Sequence, residues 1–432
     1  MDINASTTNR LGWMVVLVLF AGSVNNYLDR AVLGVVMPQI RHDLGLSNTA
    51  YGFAVNAFLL LYMLFYILGG RLADAIGCRR AFLITITFWS LASMAHALAR
   101  GFWSLCFFRA MLGVGEGPFY PAAIRGISEW FRPDNRAKAV GLLICGVSIG
   151  SLITPPVVAW ITARYGWRAS FVVTGASGFL LALVWLFLHR IIKMTLGTSD
   201  PAPAHRETSS DVAEESDLSP GEVLRRLKYW LILLARATTD AAWLFYIFWI
   251  PGYYQVVRGF TLAEVGSLLW IPFFFADVGA LGGAWASSGL IRRGFGLDRS
   301  RKTVLVVSGL LGVVGGAAYY AASDAVSLAC VSLALLGHFS WASNIHTVIS
   351  EITPVRHVGV LYGITGAAGT FLGAVTQPLA GHAIDAVGYQ IPFLGCSALY
   401  GLAIVLLLSS GKIERIRRAP ARAEAAARPE PA

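Results

Sequence analysis

The chain has 432 residues, of which 56% are hydrophobic and only 13% charged, and its mean hydropathy is +0.63. That balance excludes an ordinary soluble globular protein and leaves an all-α polytopic membrane protein. The net charge of +10 does not mark a nucleic-acid partner, because the basic residues are scattered over many short loops and an Arg-rich end, Lys412 to Arg428, rather than gathered in one patch.

Twelve apolar runs long enough to cross a bilayer fall at 11–37, 50–69, 81–99, 102–124, 138–161 and 169–189, and then at 229–252, 262–287, 303–322, 326–349, 358–381 and 391–410. Numbered in order, they form two sets of six. The first is too long for the apolar core of a signal peptide and lacks a small-residue cleavage site, so it reads as span 1. With the amino terminus placed in the cytoplasm, 26 of the 34 Lys and Arg fall in cytoplasmic segments, and the outside loops hold only Arg41, Arg100, Arg164, Arg168 and Arg258. Both termini are then expected in the cytoplasm. The expected division is a six-helix bundle over 1–190, a linker over 191–228, a second six-helix bundle over 229–410 and a disordered tail over 411–432. The linker is rich in Ser, Thr, Pro, Asp and Glu, and the tail in Arg, Ala and Pro. The tail's basic residues suit anionic lipid.

Span 1 carries Asn25-Asn26-Tyr27-Leu28-Asp29-Arg30 past its middle, a polar hexad that cannot face lipid. Asp29 and Arg30 point about 100° apart on a helix, so they can address different neighbours. Span 2 carries Asn56, Tyr62 and Tyr66, then Gly70-Arg71-Leu72-Ala73-Asp74-Ala75-Ile76-Gly77-Cys78-Arg79-Arg80. Span 4 holds Arg109 and Glu116, seven residues apart and therefore on one face. A charge at mid-membrane costs roughly 2.5–3.5 kcal/mol on insertion scales and normally faces a bundle interior or a watery cavity. The pair is either a site or a staple between helices. Gly113, Gly115 and Gly117 suit close helix packing.

Ile127-Ser128-Glu129 after span 4 is echoed by Ile349-Ser350-Glu351 after span 10. The 70–80 loop is echoed by Gly283 through Arg292-Arg293 to Lys302. Two echoes at similar offset point to duplicated halves, an arrangement that places substrate at the repeat interface near mid-membrane. Span 7 contains Asp240 and span 8 Asp277, each able to line a site or to hydrogen-bond a neighbouring helix. Arg236, near one end of span 7, reads as snorkelling to the interface. Span 10 offers Trp341, Asn344 and His346; an aromatic and an amide on one helix suit an oxygen-rich ligand. Span 11 is rich in glycine at 363, 366, 369 and 373, with a kink expected at Gln377-Pro378. The five cysteines and eight histidines have neither disulfide nor metal-ligand spacing, and no cofactor is implied.

These residues resemble the anion:cation symporter family of the major facilitator superfamily. The resemblance rests chiefly on Asn26 to Arg30, on Arg109 through Glu116 to Pro121, and on the 70–80 loop. Within that family, Thr239-Asp240 with Trp243, Pro272 through Asp277 and Leu290 to Gly294 look most like bacterial hexuronate permeases. The resemblance implies the twelve-helix major facilitator fold in a bacterial inner membrane, and a monomer importing a small organic anion, such as a hexuronate or aldonate, with protons. It implies that Asp29 and Glu116 carry protons, and that Arg30 and Arg109 meet substrate or pair with those carboxylates. Asn26, Tyr62, Asn344, Trp341, Asp240 and Asp277 are the expected substrate contacts, and Gly70, Asp74, Gly77, Arg79 and Arg80 the gating loop. Three departures stand out: Ser288 where the second loop usually has aspartate, Ala241 where proline follows Asp240, and Cys145 where some sugar-acid carriers place an amide. An exporter of organic anions or drugs remains open, since direction is not written in residues. A multi-pass membrane enzyme is the remaining rival, and no nucleophile or metal constellation supports it.

Overall fold

The computed structural model describes residues 5–131, 133–197, 218–354 and 357–416. Among these no strand occurs, and twelve long helices cross the molecule. We label them α1 (Ala5–Val35), α2 and α3 (the two limbs of Asn48–Ala95), α4 (Phe102–Glu116 continued by Phe119–Trp130), and α5 and α6 (the two limbs of Pro133–Leu196). The second half comprises α7 (Leu227–Val256), α8 (Leu262–Leu268 continued by Trp270–Arg292), α9 (Leu297–Val314 continued by Ala317–Tyr320), α10 (Asp324–Ile352), α11 (Val358–Val387) and α12 (Gln390–Ser409). The runs 48–95 and 133–196 each reverse at a glycine, Gly77 at φ 79° and Gly166 at φ 79°. A side chain would strain either turn, so these positions want glycine.

Each half is a bundle. In the first, α1 packs on the α5–α6 run and the α2–α3 run on α4; in the second, α8 and α9 pack on α10 and α12 on α7. Bilayer lipid offers no hydrophobic drive between helices, so close backbone approach matters. A Cβ at Gly115 of α4 would sit 2.8 Å from the Trp89 backbone, and one at Gly113 would meet Phe58 O. The α4 glycines therefore serve the close packing that their spacing predicts.

The halves meet along two seams, α1 and α2 against α7 and α11, and the α5–α6 run against α8. Every described hydrogen bond between them lies from mid-span to the face opposite the chain ends. Asp385 at the end of α11 caps the start of α2. Its Oδ1 accepts from Asn48 N (2.9 Å) and Nδ2 (2.8 Å), and its Oδ2 from Thr49 N (2.8 Å) and Oγ1 (2.7 Å). Gln39 donates to Gln255 Oε1 at 3.0 Å, and Tyr51 to Phe248 O at 2.9 Å. Pro378 has no N–H to offer Ala374 O one turn earlier, and Asn56 of the other half donates to that oxygen at 2.9 Å. At Gln377-Pro378, where a kink is expected, α11 runs on as one helix, and the carbonyl that the proline leaves free is bonded from the other half. Among the described residues the chain-end face has no such hydrogen bonds.

The expected tail begins later than composition suggests. Ile413 and Ile416 are buried beside Leu218 and Val223 in the chain-end core of the second half. Ile416 N donates to Ile352 O (2.9 Å), Ile413 N to Asp298 Oδ1 (2.7 Å) and Lys302 Nζ to Gly411 O (2.8 Å). Two isoleucines on an otherwise polar strap are enough to dock it. The rest of the tail, 417–432, and linker residues 198–217 lie outside the described residues.

Candidate functional site

A cavity of about 350 Å³ lies between the halves. On the first-half wall, Arg30 reaches from α1 to Glu116 of α4. Its Nη2 (2.9 Å) and Nε (3.2 Å) both donate to Glu116 Oε2, and Nη2 also reaches Asn26 Oδ1 at 3.4 Å. Glu116 Oε1 makes no hydrogen bond among the described residues. The guanidinium carbon lies 4.4 Å from the Tyr62 ring centre and 4.7 Å from that of Tyr27, so aromatic faces share its charge. Arg30, Tyr27 and Tyr62 line the cavity; Asn26 and Glu116 stand behind them, fully buried.

Asp29, one residue before Arg30, faces the bundle interior instead. It accepts from Asn25 Nδ2 (2.8 Å) and Ser93 Oγ (2.8 Å), and Asn25 is itself held by Ser177 of α6. The neighbouring charges of the hexad address different partners, as their 100° separation predicts. Arg109 is fully buried and shares the Glu116 side of α4, yet none of its three nitrogens hydrogen-bonds a described residue. Its guanidinium carbon lies 4.6 Å from the Phe58 ring centre and 5.8 Å from that of Phe248, between the two halves.

The opposite wall brings in residues whose place was not legible from the sequence. Arg236 does not snorkel. Its side chain is only 9% exposed, with Nε donating to Asp240 Oδ2 (3.3 Å) and Nη1 to Thr365 Oγ1 (2.6 Å), and its guanidinium lies 4.8 Å from the Tyr362 ring centre. A Cβ at Gly369 of α11 would collide with the Asp240 carboxylate. Trp243 and His338 stack in parallel at 5.5 Å beside this pair, and His346 also lines the cavity.

Of the expected contacts, Arg109 and Asn26 do not line the cavity, and Trp341, Asn344 and Asp277 fall elsewhere. Trp341 is fully buried in the chain-end core of the second half, against α9. Asn344 accepts from Arg301 Nη1 at 3.3 Å and donates to Ser340 O at 3.0 Å. Both lie on the face of α10 turned away from the cavity, and Asp277 does not line it either. In the expected gating loop, Gly77 makes the turn, Arg79 O accepts from Trp185 Nε1 at 3.0 Å and Arg80 is exposed. The surroundings of Gly70 and Asp74 lie outside the described residues. A larger groove, about 740 Å³, runs along α8, α9 and α10 of the second half; it is mainly apolar and holds none of these ion pairs.

Two helical bundles enclosing a cavity with buried ion pairs describe a carrier, and the comparison of families agrees. The Major Facilitator Superfamily model matches residues 19–297 and 294–431, and the chain belongs to that superfamily of membrane transporters, which are not enzymes. It is 30% identical to the hexuronate transporter of Bacillus subtilis (strain 168), over 90% of this chain and 93% of that one. It is 28% identical to the D-galactonate transporter of Escherichia coli O6:H1, over 96% of this chain and 99% of that one. Among solved structures, an inward-facing, occupied bacterial homologue of the human lysosomal transporter Spinster superposes with a TM-score of 0.75. That match covers 92% of this chain and 96% of the other at 18% identity, a likeness of fold.

Proposed function

We propose that the protein is a proton-coupled symporter that imports a sugar acid across a bacterial inner membrane by alternating access, with both termini in the cytoplasm. The observation that carries this reading is the Arg30–Glu116 pair at the cavity wall, in which both guanidinium donors converge on Oε2 and Oε1 is left unbonded. A proton delivered to Glu116 removes the charge that holds Arg30. The freed guanidinium then offers its planar fork to a substrate carboxylate. When the proton leaves, Glu116 reclaims Arg30 and the anion is released. Asp29, buried among hydrogen-bond donors without a cation, is the second proton carrier in this scheme. Arg109, between the halves and behind Phe248, contributes positive potential that draws the anion inwards. The sugar-acid relatives and the cationic cavity support the choice of cargo.

Glu116→Gln tests the coupling. Glutamine keeps size and hydrogen bonding but cannot carry the proton. In proteoliposomes the variant should exchange labelled glucuronate or galactonate by counterflow while failing to accumulate it under an imposed proton gradient. Gradient-driven accumulation at the wild-type level would remove Glu116 from the coupling mechanism. Parallel loss of binding, counterflow and thermal stability would make the pair a structural staple.

A further inference from the structure

The geometry points to Arg236 as a second substrate-binding cation, opposite Arg30, and to a six-carbon sugar acid bearing a carboxylate at each end as the transported anion. This rests on the sugar-acid reading above and narrows it. Each half contributes one arginine–carboxylate pair to the same cavity: Arg30–Glu116 from α1 and α4, and Arg236–Asp240 from α7, the helix that occupies in the second half the place of α1 in the first. A cavity between duplicated halves that presents like chemistry on both walls suits a ligand with like chemistry at both ends.

A monoacid needs one guanidinium. Burying a second is costly unless its donors are engaged, and this chain engages them with Thr365, Tyr362, Asp240 and a glycine at 369 that leaves room for the carboxylate. The second pair is also the looser one. Its single contact is 3.3 Å and Asp240 is 25% exposed, whereas Glu116 is fully buried and receives two bonds of 2.9 and 3.2 Å. Asp240 therefore acts as a placeholder that a substrate carboxylate displaces when Asp240 is protonated or swings aside. One proton on Glu116 and one on Asp240 offset the two charges that the diacid brings. The cavity, at about 350 Å³, falls in the size range of small-molecule sites.

The test compares binding of galactarate and galactonate to the purified wild-type protein by calorimetry at one pH. The two ligands differ only in a carboxylate against a hydroxymethyl group at one end. Galactarate should bind at least about tenfold tighter, the effect of one charge-assisted fork. Arg236→Gln should bring the ratio close to one, and Asp240→Asn, which removes the competing carboxylate, should tighten galactarate. Galactonate binding as tightly as galactarate to the wild type overturns the proposal, as does a folded Arg236→Gln protein that keeps the preference. The wild-type ratio needs no variant, so a misfolded one leaves the test intact. Binding of galactonate alone overturns the diacid and spares the sugar-acid reading; binding of neither overturns both.

Discussion

Replacing Asp385 by asparagine should loosen the side of the carrier that is closed in this structure. The carboxylate ties α11 to the start of α2 with four hydrogen bonds of 2.7–2.9 Å, and it belongs to one half while its donors belong to the other. An asparagine oxygen can keep the two bonds to Asn48, but its NH2 group faces the Thr49 N–H and cannot accept. Two bonds to an exposed carboxylate are lost, at about 1 kcal/mol each, so the closed state loses about 2 kcal/mol. An equilibrium between closed and open forms moves about thirtyfold by that amount. Spin labels at His42 and Val387, both at the edge of this face, report the separation of the halves by pulsed electron resonance once the native cysteines are replaced. The ratio of long to short distances should rise about thirtyfold in Asp385→Asn. A distribution unchanged within about threefold would refute the idea that this cap holds the face shut.

Arg109→Met should remove a buried cation that has no hydrogen-bond partner among its described neighbours, so the variant should melt at or above the wild-type temperature and yet fail to transport; retained uptake would take Arg109 out of the site. Arg109→Lys should keep part of the uptake, since it retains the positive potential while losing the guanidinium that lies 4.6 Å from the Phe58 ring centre. Truncation after Lys412 removes Ile413 and Ile416, which are 3% and 8% exposed, and should destabilise the protein by about 3 kcal/mol, whereas truncation after Ile416 should not; equal melting of the two would show that the strap is dispensable. Gly369→Ala should push Asp240 off Arg236 and so tighten galactarate binding while the bundle still assembles, and unchanged binding would show that α11 gives way instead.

The fold was legible because lipid imposes it: runs of spanning length, scattered loop charge and two internal echoes leave few alternatives to duplicated six-helix bundles. The first-half site was legible because two charged residues on α4 and two on α1 have nowhere to go but inwards. Which cation pairs with Glu116 was not, since Arg109 shares its helix face and only the packing of α1 brings Arg30 closer. Arg236 misled because it sits near the edge of the apolar run. In the structure α7 starts at Leu227, so Arg236 lies nine residues, about 14 Å, inside the helix. On α10 both faces carry polar groups. At about 100° per residue, His338, Phe339, Ala342, Ser343 and His346 share one sector and Trp341 and Asn344 the opposite one. The sequence pattern does not say which sector meets the other half. The strap at Ile413 and Ile416 was hidden by its composition, for two apolar residues among charges do not register as a packed segment.

The central claim, that sugar acid and proton cross together, is tested most directly by following lumenal pH in proteoliposomes of the wild-type protein. With no imposed gradient, external galactonate or glucuronate should acidify the lumen in step with its own uptake, and Glu116→Gln should abolish that acidification. Sugar-acid accumulation without any movement of protons would contradict the account.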